Sequence, residues 1–189
     1  MNGRNVFHKT KFLFPIFLGL FRILPSCVTS FFWDCISPFG GKIFLGLRYL
    51  LLKTKASEVG DNVYIGKYVV IKNIKKMQIG NNVSIHDFCY IDAAGGICIG
   101  NNVSIAHNSS ILSSNHTWNN PNLPIKYNEV KLESTILSDD IWVGCGVRIL
   151  AGVKIAERVI VAAGSIVVEN IDENNLLVGG VPAKVIKKI

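Results

Sequence analysis

Aliphatic residues recur at every sixth position through the last third of the chain. From residue 137 onward these positions are Leu137, Val143, Ile149, Ile155, Val161 and Val167. The fourth position after each is also small or branched: Ile141, Val147, Val153, Val159 and Ser165. Neither the period of a helix nor the alternation of a strand predicts this spacing. A period of six predicts a parallel β-helix, in which three hexads form one triangular coil and the aliphatic side chains point into its axis.

A second period, of twenty residues, precedes the first. Residues 59–65, 79–85 and 99–105 read VGDNVYI, IGNNVSI and IGNNVSI. Since three hexads account for eighteen residues, each of these coils has two extra residues. We expect them to bulge at one corner, around residues 75–76 in the first coil and 95–96 in the second. The same register predicts a ladder of three turn-forming asparagines: Asn62, Asn82 and Asn102.

The hexads are interrupted after Ile111 and resume at Leu137. The intervening segment, residues 112–136, is polar, with two prolines and five asparagines. A connection of this length inside a regular solenoid far exceeds ordinary loops, and such loops commonly carry function. We therefore expect residues 112–136 to be a functional loop within a β-helix domain of residues 56–189.

Residues 1–55 differ from the repeats in hydropathy. Residues 11–33 are strongly apolar, but Arg22 splits them and Pro15 and Pro25 bracket a short run, so we do not expect a membrane span. No small-residue cleavage site marks a signal peptide. Two interpretations stay open: a helical hairpin lying on the membrane surface, or a helical cap on the open end of the β-helix. Residues 38–55 predict a second, amphipathic helix that leads into the repeats.

The charge is as unevenly distributed as the hydropathy. The net charge is +7, and residues 1–55 hold eight Lys or Arg against one acid, whereas residues 56–189 hold twelve of each. This distribution argues against nucleic-acid binding by the β-helix and favours a basic N-terminal segment that faces a membrane or a partner.

The chain has five cysteines and no CxxC pair. This usage fits a reducing cytoplasm and predicts neither a disulfide framework nor a zinc site. Cys89 occupies a repeat position that requires a small apolar side chain, so we interpret it as a packing residue. At the other end of the chain, VGGVPAKVIKKI predicts a turn followed by a short basic C-terminal helix from about residue 182.

Four landmarks together resemble the hexapeptide-repeat O-acetyltransferases: the hexads, SNH at 114–116, DDIWVGCG at 139–146 and the ending VGGVPAKVIKKI. The resemblance covers roughly residues 59–189. It is to the galactoside, maltose and Nod-factor acetyltransferases, with an N-terminal segment more like that of polysaccharide-cluster sugar O-acetyltransferases. It implies an all-β solenoid, specifically a left-handed parallel β-helix, and a homotrimer with acetyl-CoA between neighbouring β-helices. We expect a cytoplasmic enzyme, peripheral at the inner face of the membrane, that acetylates a sugar or lipid-linked saccharide.

The family's catalytic histidine matches His116. A sugar hydroxyl is a poor nucleophile until a base accepts its proton, and imidazole can do so near neutral pH. The resemblance places the cofactor at Trp142, Gly144, Cys145, Ala163, Gly164 and Lys184, where the lysine would neutralise phosphate. Candidate acceptor-binding residues are Asp87, Phe88 and Asn115, and no metal is expected. The chain departs from the galactoside enzymes at Phe88, where they have asparagine, and at Glu169, where lysine is common.

Alternatives to this hypothesis come from other classes of protein. The γ-type carbonic anhydrases share the fold and bind zinc through three histidines, for which the candidates are His86, His107 and His116. Their positions in the hexads argue against convergent ligands. A non-catalytic scaffold and a sugar N-acetyltransferase also stay open. A serine acetyltransferase fits less well, because that group has a larger helical N-terminal domain.

Overall fold

The computed structural model describes residues 14–189, with side chains described from residue 18 onward. Three helices come first: α1 (Phe14–Ile23), α2 (Ser26–Ile36) and α3 (Lys42–Lys55). The strands follow in chain order: β1 (Glu58–Val59), β2 (Tyr64–Ile65), β3 (Val70–Lys72), β4 (Met77–Ile79), β5 (Ser84–Ile85), β6 (Tyr90–Asp92), β7 (Ile97–Ile99), β8 (Ser104–Ile105), β9 (Ser110–Leu112), β10 (Ser114–His116), β11 (Val130–Leu132), β12 (Thr135–Leu137), β13 (Trp142–Val143), β14 (Arg148–Ile149), β15 (Lys154–Ile155), β16 (Val159–Val161), β17 (Ile166–Val167), β18 (Leu176–Gly180) and β19 (Ala183–Lys188).

Successive strands are distributed over three sheets, one strand of each sheet per coil. Sheet 1 has the order β1-β4-β7-β12-β15, sheet 2 the order β2-β5-β8-β13-β16-β18-β19, and sheet 3 the order β3-β6-β9-β14-β17. All neighbouring strands in these sheets are parallel except β18 and β19. The chain is thus a left-handed parallel β-helix, as the period of six and the family resemblance predict.

The axis of the β-helix is filled by the aliphatic residues of the hexads. The six positions from Leu137 to Val167 are at most 1% exposed, and the five positions from Ile141 to Ser165 that follow the first five by four residues are at most 2% exposed. Burying one such aliphatic side chain stabilises the fold by about 1.5–3 kcal/mol. Cys89 is also buried, as expected, and its thiol lies 3.2 Å from the carbonyl oxygen of Ala106.

Each pair of adjacent sheets meets at an edge made of stacked corners. The first edge joins sheets 1 and 2, the second joins sheets 2 and 3, and the third joins sheet 3 to sheet 1 of the next coil. The predicted asparagine ladder forms on the first edge. Asn62 Nδ2 donates to Asn82 Oδ1 at 2.9 Å, and Asn82 Nδ2 donates to Asn102 Oδ1 at 3.0 Å. The three residues have φ of 57–58°, a left-handed conformation that asparagine tolerates.

The third edge carries the residues that exceed the hexad period. In the first coil they form a 3-10 turn at Ile74–Lys76, and in the second they lie in the Ala93–Gly96 corner. In the third coil the same corner holds the long loop between β9 and β12. The predicted bulges are therefore confirmed, and they share one edge of the solenoid with the loop.

Helix α3 closes the open end of the β-helix. Its residues 48–52 are at most 4% exposed, and Tyr49, Leu50 and Leu52 belong to the same core as the hexads. Arg48 is 1% exposed, and its guanidinium donates to the carbonyl oxygens of Ile36, Phe39 and Ile65 at 2.9–3.0 Å. This arginine joins the end of α2 to the first coil. The open end is thus covered by the helix predicted to lead into the repeats, whereas the cap interpretation concerned residues 11–33.

Helices α1 and α2 pack on α3 and leave apolar side chains in solvent. Ile23 is 83% exposed, Phe31 66% and Leu20 58%. Within residues 14–189, no helix combines the length and the apolar character that a membrane span requires. The predicted helical region begins at residue 11, and its first residues lie outside those described.

The C-terminal helix predicted from about residue 182 is wrong. Residues 183–188 form β19, which pairs antiparallel with β18 and turns back at Gly180, where φ is 107°. β18 would otherwise end sheet 2 with unpaired backbone groups, and an exposed strand edge favours pairing. Val185 and Ile186 are β-branched residues that suit a strand. Pairing with the preceding strand across this turn therefore outweighs the helical signal.

Candidate active site

Six of the predicted site residues lie in one row on the second edge. Corner residues of successive coils stack there through backbone hydrogen bonds: Gly164 N–H donates to Cys145 O at 2.8 Å, and Gly146 N–H donates to His107 O at 3.0 Å. In the first three coils, Asn108 N–H donates to Asp87 O at 3.2 Å, and Phe88 N–H donates to Lys67 O at 2.9 Å. The row thus contains the predicted cofactor residues Gly144, Cys145, Ala163 and Gly164 and the predicted acceptor residues Asp87 and Phe88.

In the fourth and fifth coils, this row has small side chains. A Cβ atom at Gly144 would lie 2.6 Å from the backbone nitrogen of Ala163, so the two coils require glycine to approach this closely. Gly146 and Gly164 have φ of 68° and 72°, and nothing lies within 4 Å of where their Cβ atoms would be. The space over Gly146 and Gly164 is therefore open to an extended ligand.

In the first two coils, the row has aromatic side chains. Phe88 and Tyr68 occupy equivalent corner positions of adjacent coils, with ring centroids 5.0 Å apart and planes 11° apart. Both adopt the left-handed conformation, with φ of 62° and 55°. This conformation is strained for bulky residues, and such strain concentrates at functional sites. The stacked pair is 54% and 44% exposed and forms a flat apolar surface beside Asp87.

Trp142 adjoins the small-residue part of the row from sheet 2. Its side chain points outward from β13, between Ser104 and Ile160 on the neighbouring strands, and is 55% exposed. It lines a cleft of about 270 Å³ together with Asp140, Arg158 and the C-terminal Ile189. Asp140 and Arg158 are corner residues of the first edge, so this cleft lies on the side of Trp142 away from the row.

Lys184 lies beyond the last coil of the row. It pairs with Gly179 across the β18–β19 hairpin, and its ammonium group lies 3.4 Å from a carboxylate oxygen of Glu169. Both side chains are at least 66% exposed, so the ion pair is weak and exchanges readily with water or an anion. Glu169, one of the departures from the galactoside enzymes, thus faces the predicted phosphate-binding lysine.

His116 and Asn115 lie on the other side of sheet 3. The loop leaves the third edge after β9, and its first strand, β10, pairs antiparallel with β11, so that His116 lies opposite Val130 at the exposed end of the pair. The base of the loop is rigid: Ser113 Oγ donates to Asp92 O at 2.7 Å, and Thr135 Oγ1 donates to Leu112 O at 2.7 Å.

The tip of the loop is organised by one buried side chain. Asn128 Nδ2 donates to the carbonyl oxygens of Asn120, Leu123 and Pro124 at 3.2–3.3 Å, and Asn128 Oδ1 accepts from Asn120 N–H at 2.9 Å. The tip of the loop therefore has a defined conformation, which these hydrogen bonds stabilise. That surface exposes Trp118 by 72% and Tyr127 by 69%.

One chain does not bring the histidine to the row of cofactor residues. Sheet 3 separates the second edge from the third. Throughout the described part of the chain, no hydrogen bond, ion pair or ring contact joins residues 114–134 to the second edge. The predicted site residues thus form two groups, His116 and Asn115 on the loop and the six residues of the second edge, with Trp142 on sheet 2 and Lys184 on the β18–β19 hairpin.

Comparisons with known proteins agree with the fold. The galactoside acetyltransferase solved with coenzyme A superimposes with a TM-score of 0.76 at 24% identity, over 91% of this chain and 82% of its own. The acetyltransferase VCA0836 from Vibrio cholerae, solved with acetyl coenzyme A, gives a TM-score of 0.75 at 23% identity, over 85% and 84% of the two chains. The fold is that of the hexapeptide-repeat acetyltransferases.

Two further similarities extend this fold-level result. The N-acyltransferase AntD from Bacillus cereus, solved with dTDP and coenzyme A, gives a TM-score of 0.56 at 28% identity, over 73% of this chain and 87% of its own. WbbJ of Escherichia coli strain K12, assigned provisionally to lipopolysaccharide biosynthesis O-acetyl transfer, is 33% identical over 43% of this chain and 41% of its own. The chain spans between 25% and 41% of the length of three curated relatives that it matches. No family model matches the chain.

The three histidines considered as ligands of a zinc ion lie at three different places in the fold. His86 packs against the ring of Tyr64, with centroids 5.3 Å apart, at the first corner position of the second edge. His107 occupies the second corner position one coil later, and His116 lies on the loop. Among residues 14–189, no group of three or more His, Cys, Asp or Glu side chains is placed to hold a metal ion.

Sequence reasoning missed the aromatic pair and the partners of Trp142. Tyr68 and Phe88 are twenty residues apart, so the period of twenty could have placed them in adjacent coils at the same corner position. Asp140 and Arg158, whose ion pair spans 3.2 Å beside Trp142, are eighteen residues apart, which is one regular coil. Counting the hexads in threes would also have placed the loop on a different edge from Cys145.

Proposed function

We propose that this chain transfers an acetyl group from acetyl-CoA to a sugar hydroxyl, with His116 as the general base. The observation that carries the proposal is the row of small corner residues beside Trp142. An extended thioester arm needs open space along several coils, and the second edge offers it over Gly146 and Gly164, next to a large aromatic side chain. The galactoside acetyltransferase was solved with coenzyme A, and VCA0836 was solved with acetyl coenzyme A.

In the proposed reaction, His116 accepts the proton of the sugar hydroxyl as that oxygen attacks the thioester carbon. A carbon–oxygen bond forms, and the tetrahedral oxyanion is stabilised by backbone N–H groups. The carbon–sulfur bond then breaks, and the proton passes from the imidazolium to the departing thiolate. The exposed position of His116 leaves its ring free to approach a bound hydroxyl.

The proposed site is completed between two copies of the chain. His116 lies on the third edge and the cofactor row on the second, so a neighbouring copy must bring its third edge to this row. Three copies related by a threefold axis would each contribute one edge of each kind, which closes the assembly. The apolar surface of the loop supports such an interface, because Trp118, Ile125 and Tyr127 are each at least 63% exposed.

We further propose that the acceptor is a lipid-linked saccharide at the cytoplasmic face of the membrane. The stacked Tyr68–Phe88 pair offers an apolar surface for a sugar ring, and Asp87 beside it offers a hydrogen-bond acceptor. Helices α1 and α2 expose apolar side chains at the end of the β-helix nearest this pair, as an interfacial helix would. The partial similarity to WbbJ supports a role in surface polysaccharide synthesis.

Transfer assays with labelled acetyl-CoA against free sugars, nucleotide sugars and lipid-linked sugars test this function. We expect transfer to a hydroxyl, with the affinity for CoA reduced in Trp142→Ala and unchanged in Val168→Ala, an exposed residue of the same chain outside the row. Absence of transfer to every acceptor together with absence of CoA binding would favour a non-catalytic scaffold.

The same assay decides between oxygen and nitrogen as the acceptor atom. AntD is an N-acyltransferase, and its similarity to this chain makes an amino sugar the second candidate acceptor. An ester product is cleaved by mild base and an amide is not, so base treatment of the labelled product identifies the atom acetylated.

A further inference from the structure

A cleft of about 580 Å³ separates helix α2 from the first coil, at the capped end of the β-helix. One wall consists of four α2 residues that share a helix face: Ser26, Ser30, Trp33 and Asp34. The floor is apolar and is formed by Trp33, Ile71 and Ile74, which pack against the core. The remaining wall is basic.

Three lysines line the basic wall, against one carboxylate. Lys55 Nζ donates to Ser30 Oγ at 2.7 Å, and Lys76 Nζ donates to Ala94 O at 2.7 Å. Within the described residues, Lys75 has no hydrogen bond or ion pair. Burial lowers the pKa of Lys55; nearby Asp34 opposes this effect and nearby Lys75 adds to it. An anion bound between Lys55 and Lys75 would relieve this repulsion.

The mouth of the cleft adjoins an apolar surface. Phe31 follows Ser30 and so lies roughly 100° further around α2, on the side away from the protein body. Phe31 is 66% exposed, and Ile23 at the end of α1 is 83% exposed. A ligand with a phosphate in the cleft could therefore extend an apolar part over exposed aromatic and aliphatic side chains.

We infer that this cleft binds the phosphate group of a membrane lipid, with the hydrocarbon of that lipid against Phe31 and Ile23. Ammonium groups suit phosphate oxygens, and an apolar helix surface beside a basic cleft suits the boundary between headgroups and acyl chains. The inference deepens the proposed membrane association and is independent of the acetyl-transfer chemistry, so either can fail without the other.

The test measures binding of the full chain to vesicles of phosphatidylcholine, with and without phosphatidic acid. The variant Lys75→Gln with Lys76→Gln removes two charges from the cleft. The control, Lys126→Gln with Lys154→Gln, removes two exposed charges elsewhere. We expect phosphatidic acid to strengthen binding of the unaltered chain, the cleft variant to weaken that binding roughly 30-fold, and the control to change it less than about threefold.

A second variant distinguishes lipid binding in the cleft from lipid binding through the overall positive charge of the surface. Ser30→Leu fills the cleft without changing the charge, and we expect it to abolish the preference for phosphatidic acid while circular dichroism shows an unchanged fold. Retained preference in Ser30→Leu, equal losses in the two lysine pairs, or no preference in the unaltered chain would each overturn the inference. Inorganic phosphate that binds as tightly as short-chain phosphatidic acid would also overturn it, since the cleft would then be a site for free anions.

Discussion

The β-helix has two kinds of edge, and they differ in what they are built to do. On the first and second edges every coil turns with the same short corner, and equivalent residues stack, as in the ladder of Asn62, Asn82 and Asn102. On the third edge no two of the first three coils turn alike, because a 3-10 turn, a glycine corner and a long loop follow one another. Regular stacking exposes a continuous row of backbone, whereas the irregular edge can accept an insertion without disturbing the core. The contrast predicts that ligand binding depends on the regular second edge and the chemistry on the third.

The largest expected effect comes from removing the histidine on the irregular edge. His116→Ala should lower the rate of acetyl transfer roughly 10²–10⁴-fold, the contribution of a positioned general base. The affinity for CoA and the melting temperature should stay unchanged, because His116 lies at the exposed end of β10. Steady-state kinetics and calorimetric CoA binding measure both quantities. A parallel loss of CoA binding would mean that the loop forms part of the donor site, and the division between the edges would fail.

Gly144→Val should have the next largest effect, on stability. Its Cβ atom would lie 2.6 Å from the backbone nitrogen of Ala163, so adjacent coils must move apart, at a cost of about 2–3 kcal/mol. Gly146→Asn is the matched control and should cost little, because Asn108 holds the same left-handed conformation one coil earlier. Denaturant unfolding measures both. Equal stabilities of the two variants would show that the second edge does not require close stacking.

Asn82→Ala tests the ladder on the first edge. The substitution removes hydrogen bonds to two neighbouring asparagines and places alanine at a φ of 57°, for a loss of about 2 kcal/mol. Asn82→Gly loses the same hydrogen bonds but tolerates the conformation, so it should be less destabilised than the alanine variant. Thermal unfolding that ranks glycine below alanine would contradict the assigned conformation.

Asp139→Asn should have the smallest effect, a change in how the free energy of unfolding depends on pH. Asp139 accepts hydrogen bonds from the side chain and the backbone N–H of Asn101, which lower its pKa. A lowered folded-state pKa gives stability that is present above the unfolded value near 3.9 and is lost as the pH falls through the folded value.

Because asparagine fills the equivalent position at Asn81 and Asn101, the Asp139→Asn variant should fold normally. Relative to it, the unaltered chain should be more stable at neutral pH, by less than about 1 kcal/mol since the group is solvent-screened. That advantage should shrink below pH 4. An advantage that grows with acidity would reverse the sign and refute the hydrogen-bond account.

The regular edges could be predicted from the sequence, and the irregular features only in part. The period of six determines which residues enter the axis, and the period of twenty located both bulges, because each reflects a strictly local repeat. The C-terminal strand was missed because the segment AKVIKK suits a short helix as well as a strand, and only its pairing with β18 across the turn at Gly180 decides between them. The cap and membrane interpretations could not be separated, since α3 fills the solenoid end while α1 and α2 expose apolar residues. Both use apolar helices, and packing alone distinguishes them.

The central claim is that the active site combines the third edge of one copy with the second edge of another, and mixing two inactive variants tests it most directly. His116→Ala lacks the base, and Cys145→Trp blocks the cofactor row, so neither homo-oligomer should transfer acetyl groups. After the two are unfolded together and refolded at equal concentrations, a shared site predicts recovery of about a quarter of the unaltered activity, because one intact edge must come from each variant. Recovery of no activity from mixed oligomers, confirmed as mixed by differently tagged chains, would mean that each chain builds its own site and would contradict the account.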